Sequence, residues 1–177
     1  MTVRKARMSD IPAMLALING YAGQGIMLPR TEFELSEGIR DFCVLLDGER
    51  LLGCAALHFY GPTMAEVRSL AVAPETKGTG GGRLLMDAVD VEAREFDLDA
   101  LFAFTYAPGF FSRMGYHEVE RDQLPLKVWK DCLRCPKFQA CDEIAVLKLL
   151  KDNTNLASAR HAAADDALVR IPVFQSK

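Results

Sequence analysis

Four groups of residues in this 177-residue chain have the types and spacing for chemistry. The first is the turn Lys77-Gly78-Thr79-Gly80-Gly81-Gly82. It follows an apolar strand pattern, Ser69-Leu70-Ala71-Val72, that stops at Pro74. It precedes a helical pattern with apolar residues at Leu85, Ala88, Val89, Ala93 and Phe96. Strand, glycine turn and helix N-terminus together make an anion site. Successive main-chain N–H groups converge there, and the helix dipole adds partial positive charge. Glycines let the backbone approach a phosphate that a β-carbon would hold off, so the turn reads as a pyrophosphate cradle. It is not a P-loop, because no Gly-Lys-Ser/Thr closes it, and it does not match G-x-G-x-x-G. Taken alone, it could also be a flexible surface loop.

The second group is Glu66 and Arg68, two positions apart on a strand and therefore on one face. The third is the set of cations Arg30, Arg68, Lys127, Lys130 and Lys137. A fixed guanidinium holds a carboxylate by two parallel bonds, and two such holders would suit a dicarboxylic amino acid. The fourth is Cys132-x-x-Cys135-Pro136-x-x-x-x-Cys141. Cys-x-x-Cys is a common zinc half-site, but three thiols leave a closed site one ligand short. His117, Asp142 or another chain would have to complete it. Three reduced thiols without metal is the reading adopted, and a reversible Cys132–Cys135 disulfide is the third option.

The wider pattern Leu70-Ala71-Val72-x-Pro74-Glu75-x-Lys77-Gly78-x-Gly80-x-Gly82, leading into Leu84-Leu85, resembles the acetyl-CoA signature of the GCN5-related N-acetyltransferases. Lys77 stands where that signature has Arg or Gln, and keeps the positive charge. Phe110-Phe111-Ser112-Arg113-Met114-Gly115-Tyr116 resembles the family's second landmark, and the likeness runs from Val3 to about Leu150. It implies an α/β (α+β) fold: a mixed central sheet, helices on both faces, and fourth and fifth strands that splay apart. Acetyl-CoA would be the co-substrate, its pantetheine arm bonded to the edge of the fourth strand around Leu70, Ala71 and Val72. Glu66 would be the general base, with a surface pairing to Arg68 as the alternative. The Leu70 or Ala71 N–H would face the oxyanion, the choice resting on a bulge. Many members carry a tyrosine acid where this chain has Phe111. Tyr106 is the nearest substitute, with core packing as its other role; the thiolate could also leave without a dedicated acid.

Within the family, Gly25-x-x-Leu28-Pro29-Arg30, Glu66 to Val72, Leu101 to Thr105 and Leu124-Pro125 look like the acetyltransferase domain of bacterial N-acetylglutamate synthases. That likeness implies that Leu28, Arg30, Ser69 and Thr105 hold glutamate, for arginine biosynthesis. It also implies the short, single-domain kind. Other acceptors (a polyamine, a drug, a protein N-terminus) and a non-catalytic CoA-sensing module are the rival readings. Arg30 and Arg68 argue against a polyamine.

The elements that must position these residues follow from periodicity. Thr2 to Arg7 reads as a strand. A helix opens at Ser9-Asp10-Ile11-Pro12, with Ser or Asp as cap and Ile11, Met14, Leu15 and Ile18 as its stripe, and Gly20 to Gly25 breaks it. Thr31 and Glu34 form a capping-box pattern ahead of a second helix. Phe42 to Leu46 and Leu51 to Tyr60 form a hairpin through Asp47-Gly48, the second strand buried on both faces. His58 on it is read as a satisfied core histidine. Ala100 to Tyr106, Tyr116 to Val119 and Glu143 to Leu150 are further strands, and Pro108 to Met114 is a short helix. Residues 1–150 thus form one acetyltransferase domain, and 151–177 a loosely docked tail or a partner or homodimer contact.

Half of the chain is apolar, a quarter charged, and the net charge is −3. Such a balance does not favour nucleic acid or an anionic membrane surface as partner. No apolar run reaches the roughly 18 residues of a membrane span. No apolar signal core follows Arg4, Lys5 and Arg7, so the expectation is a cytoplasmic protein acting on a small amino acid.

Overall fold

Residues 1–121, 124 and 140–151 are described by the computed structural model. Among the described residues, seven strands form one sheet: β1 (Thr2–Lys5), β2 (Phe42–Asp47), β3 (Arg50–Phe59), β4 (Met64–Val72), β5 (Ala100–Thr105), β6 (His117–Glu118) and β7 (Ile144–Leu149). Their order is β1-β2-β3-β4-β5-β7-β6. Every neighbouring pair is antiparallel except β4 and β5. The α-helices among the described residues are α1 (Ile11–Ala22), α2 (Glu32–Glu37), α3 (Gly81–Glu95) and α4 (Pro108–Ser112).

Helices cover both faces because alternate strand residues are apolar in both directions. Leu45, Ala55, Leu57, Val67 and Leu101 pack against Leu85, Met86, Val89 and Ala93 of α3. On the opposite face, Val44, Cys54, Ala56 and Ala71 pack against Ile11, Met14, Ile18 and Tyr21 of α1 and Leu35 of α2. Leu85, Met86 and Val89 are fully buried, each stabilising the fold by about 1.5–3 kcal/mol. The Thr31–Glu34 capping box forms as expected: Thr31 Oγ1 accepts from Glu34 N–H at 3.2 Å, and Glu34 Oε2 accepts from Thr31 N–H at 2.9 Å.

One expectation about α1 needs correction. Asp10 does not cap it through its side chain. Its carboxylate turns back to Arg4, at 2.7 and 3.0 Å, and to the Arg7 N–H at 2.7 Å. The Arg4 bond holds the Asp10 carboxyl below its usual range. The helix ends within the expected Gly20 to Gly25 stretch, passing through Gly20 and running on to Ala22 with Gly23 as its C-cap. An exposed glycine costs a helix only about 1 kcal/mol, and buried Ile18 and Tyr21 carry the stripe across it.

The central fork is in place. β4 and β5 pair only at Met64–Ala100, Ala65–Leu101 and Glu66–Phe102. Beyond Glu66 the two strands separate. β4 also bulges: Ser69 and Leu70 together oppose the single residue Ala55, between the pairs Cys54–Ala71 and Ala56–Arg68. Ser69 takes up the extra residue with φ of 52°, a left-handed conformation that few non-glycine residues adopt. The expected tail begins at Lys151, and residues 152–177 lie outside the described ones, as do Cys132, Cys135, Lys127, Lys130 and Lys137.

Candidate active site

A cavity of about 450 Å³ opens where β4 and β5 part. The whole of β4 from Glu66 to Val72 lines it. So do Leu28, Arg30, Lys77, Gly82, Thr105, Tyr106 and Phe111. Residues spread over 84 positions of sequence, from Leu28 to Phe111, thus share one wall system. Of the glycine turn, only Lys77 and Gly82 border this cavity; Gly78, Thr79, Gly80 and Gly81 do not.

Each side chain has a local reason for its place. Glu66 is the last residue of β4 still paired with β5, so its carboxylate sits at the crotch of the fork. Alternation brings Arg68 to the same face, with Nη1 4.0 Å from Glu66 Oε2. The two readings of Glu66 are therefore not exclusive: it pairs with Arg68 and lines the cavity. Arg30 arrives on the loop between α1 and α2. Its main chain is fixed by Asn19 of α1, which donates to the Arg30 carbonyl and accepts from the Arg30 N–H, both at 2.9 Å.

At the other end of β4, the Tyr21 hydroxyl donates to the Val72 carbonyl at 2.7 Å. Lys77 Nζ lies over the Tyr21 ring, 4.9 Å from its centroid. Tyr21 thus ties α1 to the strand end and offers Lys77 a cation–π seat. The turn itself is closed by Thr79 Oγ1 donating to the Thr76 carbonyl at 2.8 Å. Gly80 caps α3 at φ 90°, a conformation that needs glycine. Gly81 is needed for a different reason, since a β-carbon there would meet Leu45 Cδ2 and Thr76 Cγ2 at 2.8 Å. Gly82 lies against the Phe110 ring.

On β5, Thr105 is buried and its Oγ1 accepts from the Ala107 N–H at 2.9 Å. Tyr106 is not a core residue; it is exposed, and its hydroxyl donates to Asp142 Oδ1 at 2.7 Å. Phe111 is buried, edge-on to Phe110 and Tyr116 with centroids 5.5 and 5.2 Å away. Glu143 also lines the cavity and gives it a second carboxylate besides that of Glu66. Sequence reasoning missed Asn19, Tyr21, Phe110 and Glu143. Only Tyr21 left a signal, a large aromatic continuing the α1 stripe.

Of the described thiols, Cys43 and Cys54 are not primed to attack. Burial pushes the Cys43 thiol up to about 11 and the Cys54 thiol up to about 12. Cys54 Sγ–H instead donates to the Ser69 carbonyl at 3.6 Å, beneath the bulge. Cys141 Sγ lies 3.9 Å from Glu143 Oε2. Among the described residues, no group of three His, Cys, Asp or Glu side chains could hold a metal.

A sheet forked between its fourth and fifth strands, with a bulged strand and a glycine turn at a helix N-terminus, is the architecture of an acyl-CoA-dependent N-acetyltransferase. The chain belongs to the GNAT family of N-acetyltransferases, which use acetyl-CoA as co-substrate. A family model described as an acetyltransferase (GNAT) domain matches residues 38–118. An uncharacterized N-acetyltransferase of Chlorobaculum tepidum is 45% identical over 148 residues, 84% of this chain and 96% of the relative. An amino-acid acetyltransferase of Mycobacterium tuberculosis is 33% identical over 135 residues, 75% of this chain and 77% of the relative. Among solved structures, the N-acetylglutamate synthase of Neisseria gonorrhoeae, in complex with coenzyme A and N-acetyl-glutamate, superposes with a TM-score of 0.77 at 30% identity. That match covers 85% of this chain and 35% of the synthase chain. Among the described residues, no helix is long and apolar enough to cross a membrane.

Proposed function

We propose that residues 1–150 form one catalytic domain that transfers acetyl from acetyl-CoA to the α-amino group of L-glutamate, a reaction that feeds arginine biosynthesis. The observation that carries this reading is the meeting of Arg30, Arg68 and Glu66 on one cavity at the fork of β4 and β5. Two guanidiniums match the two carboxylates of a dicarboxylic amino acid, and the carboxylate of Glu66 faces the ammonium between them. Leu28, Ser69 and Thr105 complete the acceptor end. The ligands and names of the relatives support the same substrate class.

At the donor end, the parted edge of β4 at Leu70, Ala71 and Val72 supplies main-chain groups for the pantetheine arm, a strand-addition contact. Lys77, the turn from Gly78 to Gly82 and the N-terminus of α3 supply positive charge for the pyrophosphate. Phe111 packs beneath the arm. Glu66 takes one proton from the substrate ammonium, which frees the lone pair to attack the thioester carbonyl. The N–H of Leu70 or Ala71, turned by the Ser69 bulge, steadies the oxyanion. The C–N bond forms and the C–S bond breaks within one ternary complex, with no acyl-enzyme. The Tyr106 hydroxyl proton is committed to Asp142, so a role as acid requires that bond to open; we assign the thiolate's departure to no dedicated acid.

Glu66→Gln tests the reading. At neutral pH its turnover should fall by roughly 10²–10⁴-fold, with acetyl-CoA affinity near that of the parent. The deficit should narrow as pH rises and the amine loses its proton unaided. A loss that ignores pH, or no loss, would remove Glu66 as the base.

A further inference from the structure

Glu66 has a neighbour on β3 that does not line the cavity. His58 of β3 is its register partner across the antiparallel β3–β4 pair, so the two side chains stand on the same face, their β-carbons about 4.5–5.5 Å apart. His58 Nδ1 lies 2.7 Å from Asp41 Oδ2. An ionised carboxylate only accepts, so Nδ1 carries the proton of that bond, and in the neutral ring Nε2 then has the lone pair. The histidine is not the enclosed core residue its strand suggests: 28% of its side chain and 25% of that of Asp41 are exposed, against 13% for Glu66. The Tyr60 ring meets the imidazole edge-on at 5.1 Å. Charged and titratable groups around it are therefore Asp41 from the turn before β2, Tyr60 on its own strand, and Glu66 with Arg68 from β4.

We propose that His58, held by Asp41, carries protons from Glu66 to solvent between turnovers. The inference rests on Glu66 being the general base. Net acetyl transfer removes two protons from the ammonium nitrogen. One ends on the departing thiolate and one must leave the enzyme. Glu66 faces a cavity that both substrates fill, so its cavity side is closed when it holds the proton. Nε2 of His58 accepts that proton, directly or through one water, and Asp41 steadies the imidazolium that forms. The imidazolium then releases it at the exposed edge, which restores both groups. His58 acts through Glu66 and does not touch the substrates.

The test is a kinetic cycle of His58→Gln, Glu66→Gln and the double variant, with His58→Ala assayed in added imidazole. His58→Gln should lower kcat by roughly tenfold or more, with KM for both substrates within about twofold of the parent. The double variant should be no slower than Glu66→Gln, because the two residues serve one proton. Imidazole should restore kcat of His58→Ala in a saturable way, and should leave Glu66→Gln unchanged. If Glu66→Gln is slow but His58→Gln turns over normally, the relay is wrong and the base assignment stands. Losses that multiply in the double variant, or a folded His58→Ala that ignores imidazole, would also overturn the relay. A Glu66→Gln enzyme as fast as the parent would overturn the base assignment and the relay with it.

Discussion

Asn19 holds both main-chain polar groups of Arg30, each at 2.9 Å. A helix side chain thereby stands in for a strand partner and fixes a loop residue that the fold otherwise leaves on a short connection. The loop's position, and with it the guanidinium's, depends on an amide that touches no substrate. Asn19→Ala should raise KM for the amino acid by roughly tenfold, about 1.4 kcal/mol for two lost hydrogen bonds. Arg30→Ala should raise it further, and Arg30→Lys should not restore it, because an ammonium lacks the planar fork. KM for acetyl-CoA should stay unchanged in all three. Steady-state kinetics with each substrate varied would show it.

The glycines of the turn separate by cause. Gly80 has open space around it but sits at φ 90°. Gly80→Ala should cost about 1–2 kcal/mol in backbone strain and weaken CoA binding as the turn reshapes. Gly81 has no positive φ but has Leu45 and Thr76 against it. Gly81→Ala should cost about 1–3 kcal/mol of overpacking and leave CoA affinity nearly intact while the protein is folded. Urea unfolding and calorimetry with CoA distinguish the two.

Cys43 and Cys54 titrate near 9.0 in an unfolded chain, and burial raises them to about 11 and about 12. Their neutral form is favoured in the fold. At neutral pH, mixing with acetyl-CoA should leave no acetylated protein by intact mass. Above a pH of about 9 the unfolded state binds fewer protons than the folded one, so stability should fall as pH rises through that range. Cys54→Ala should lose part of that slope, read from urea midpoints at about pH 8 and about pH 10.

Much of this was legible in the sequence, and the unread part has a common cause. Glu66 and Arg68 could be placed on one face because strand periodicity is local. The Thr31–Glu34 cap and the Gly80 turn were equally local. The splay of β4 from β5 came through family resemblance, since no residue pattern encodes where pairing stops. Ser69 was named as a site residue, yet its bulge was invisible, because a non-glycine at positive φ leaves no trace in composition. Asn19 and Asp41 act on residues 11 and 17 positions away, and Tyr21 on one 51 away. Such partners are set by packing between elements. The break expected over Gly20 to Gly25 falls after Ala22 rather than at Gly20, because tertiary burial outweighs a small propensity cost.

The central claim is that the cavity takes a dicarboxylic amino acid. The direct measurement is release of free CoA thiol with saturating acetyl-CoA and a panel of acceptors: glutamate, glutamine, aspartate, neutral amino acids, and polyamines. A carboxylate-holding Arg30 left unpaired by glutamine predicts that glutamate leads in kcat/KM, by at least about two orders of magnitude over glutamine. Neutral amino acids and polyamines should trail further. A neutral or cationic amine acetylated more efficiently than glutamate would contradict the account.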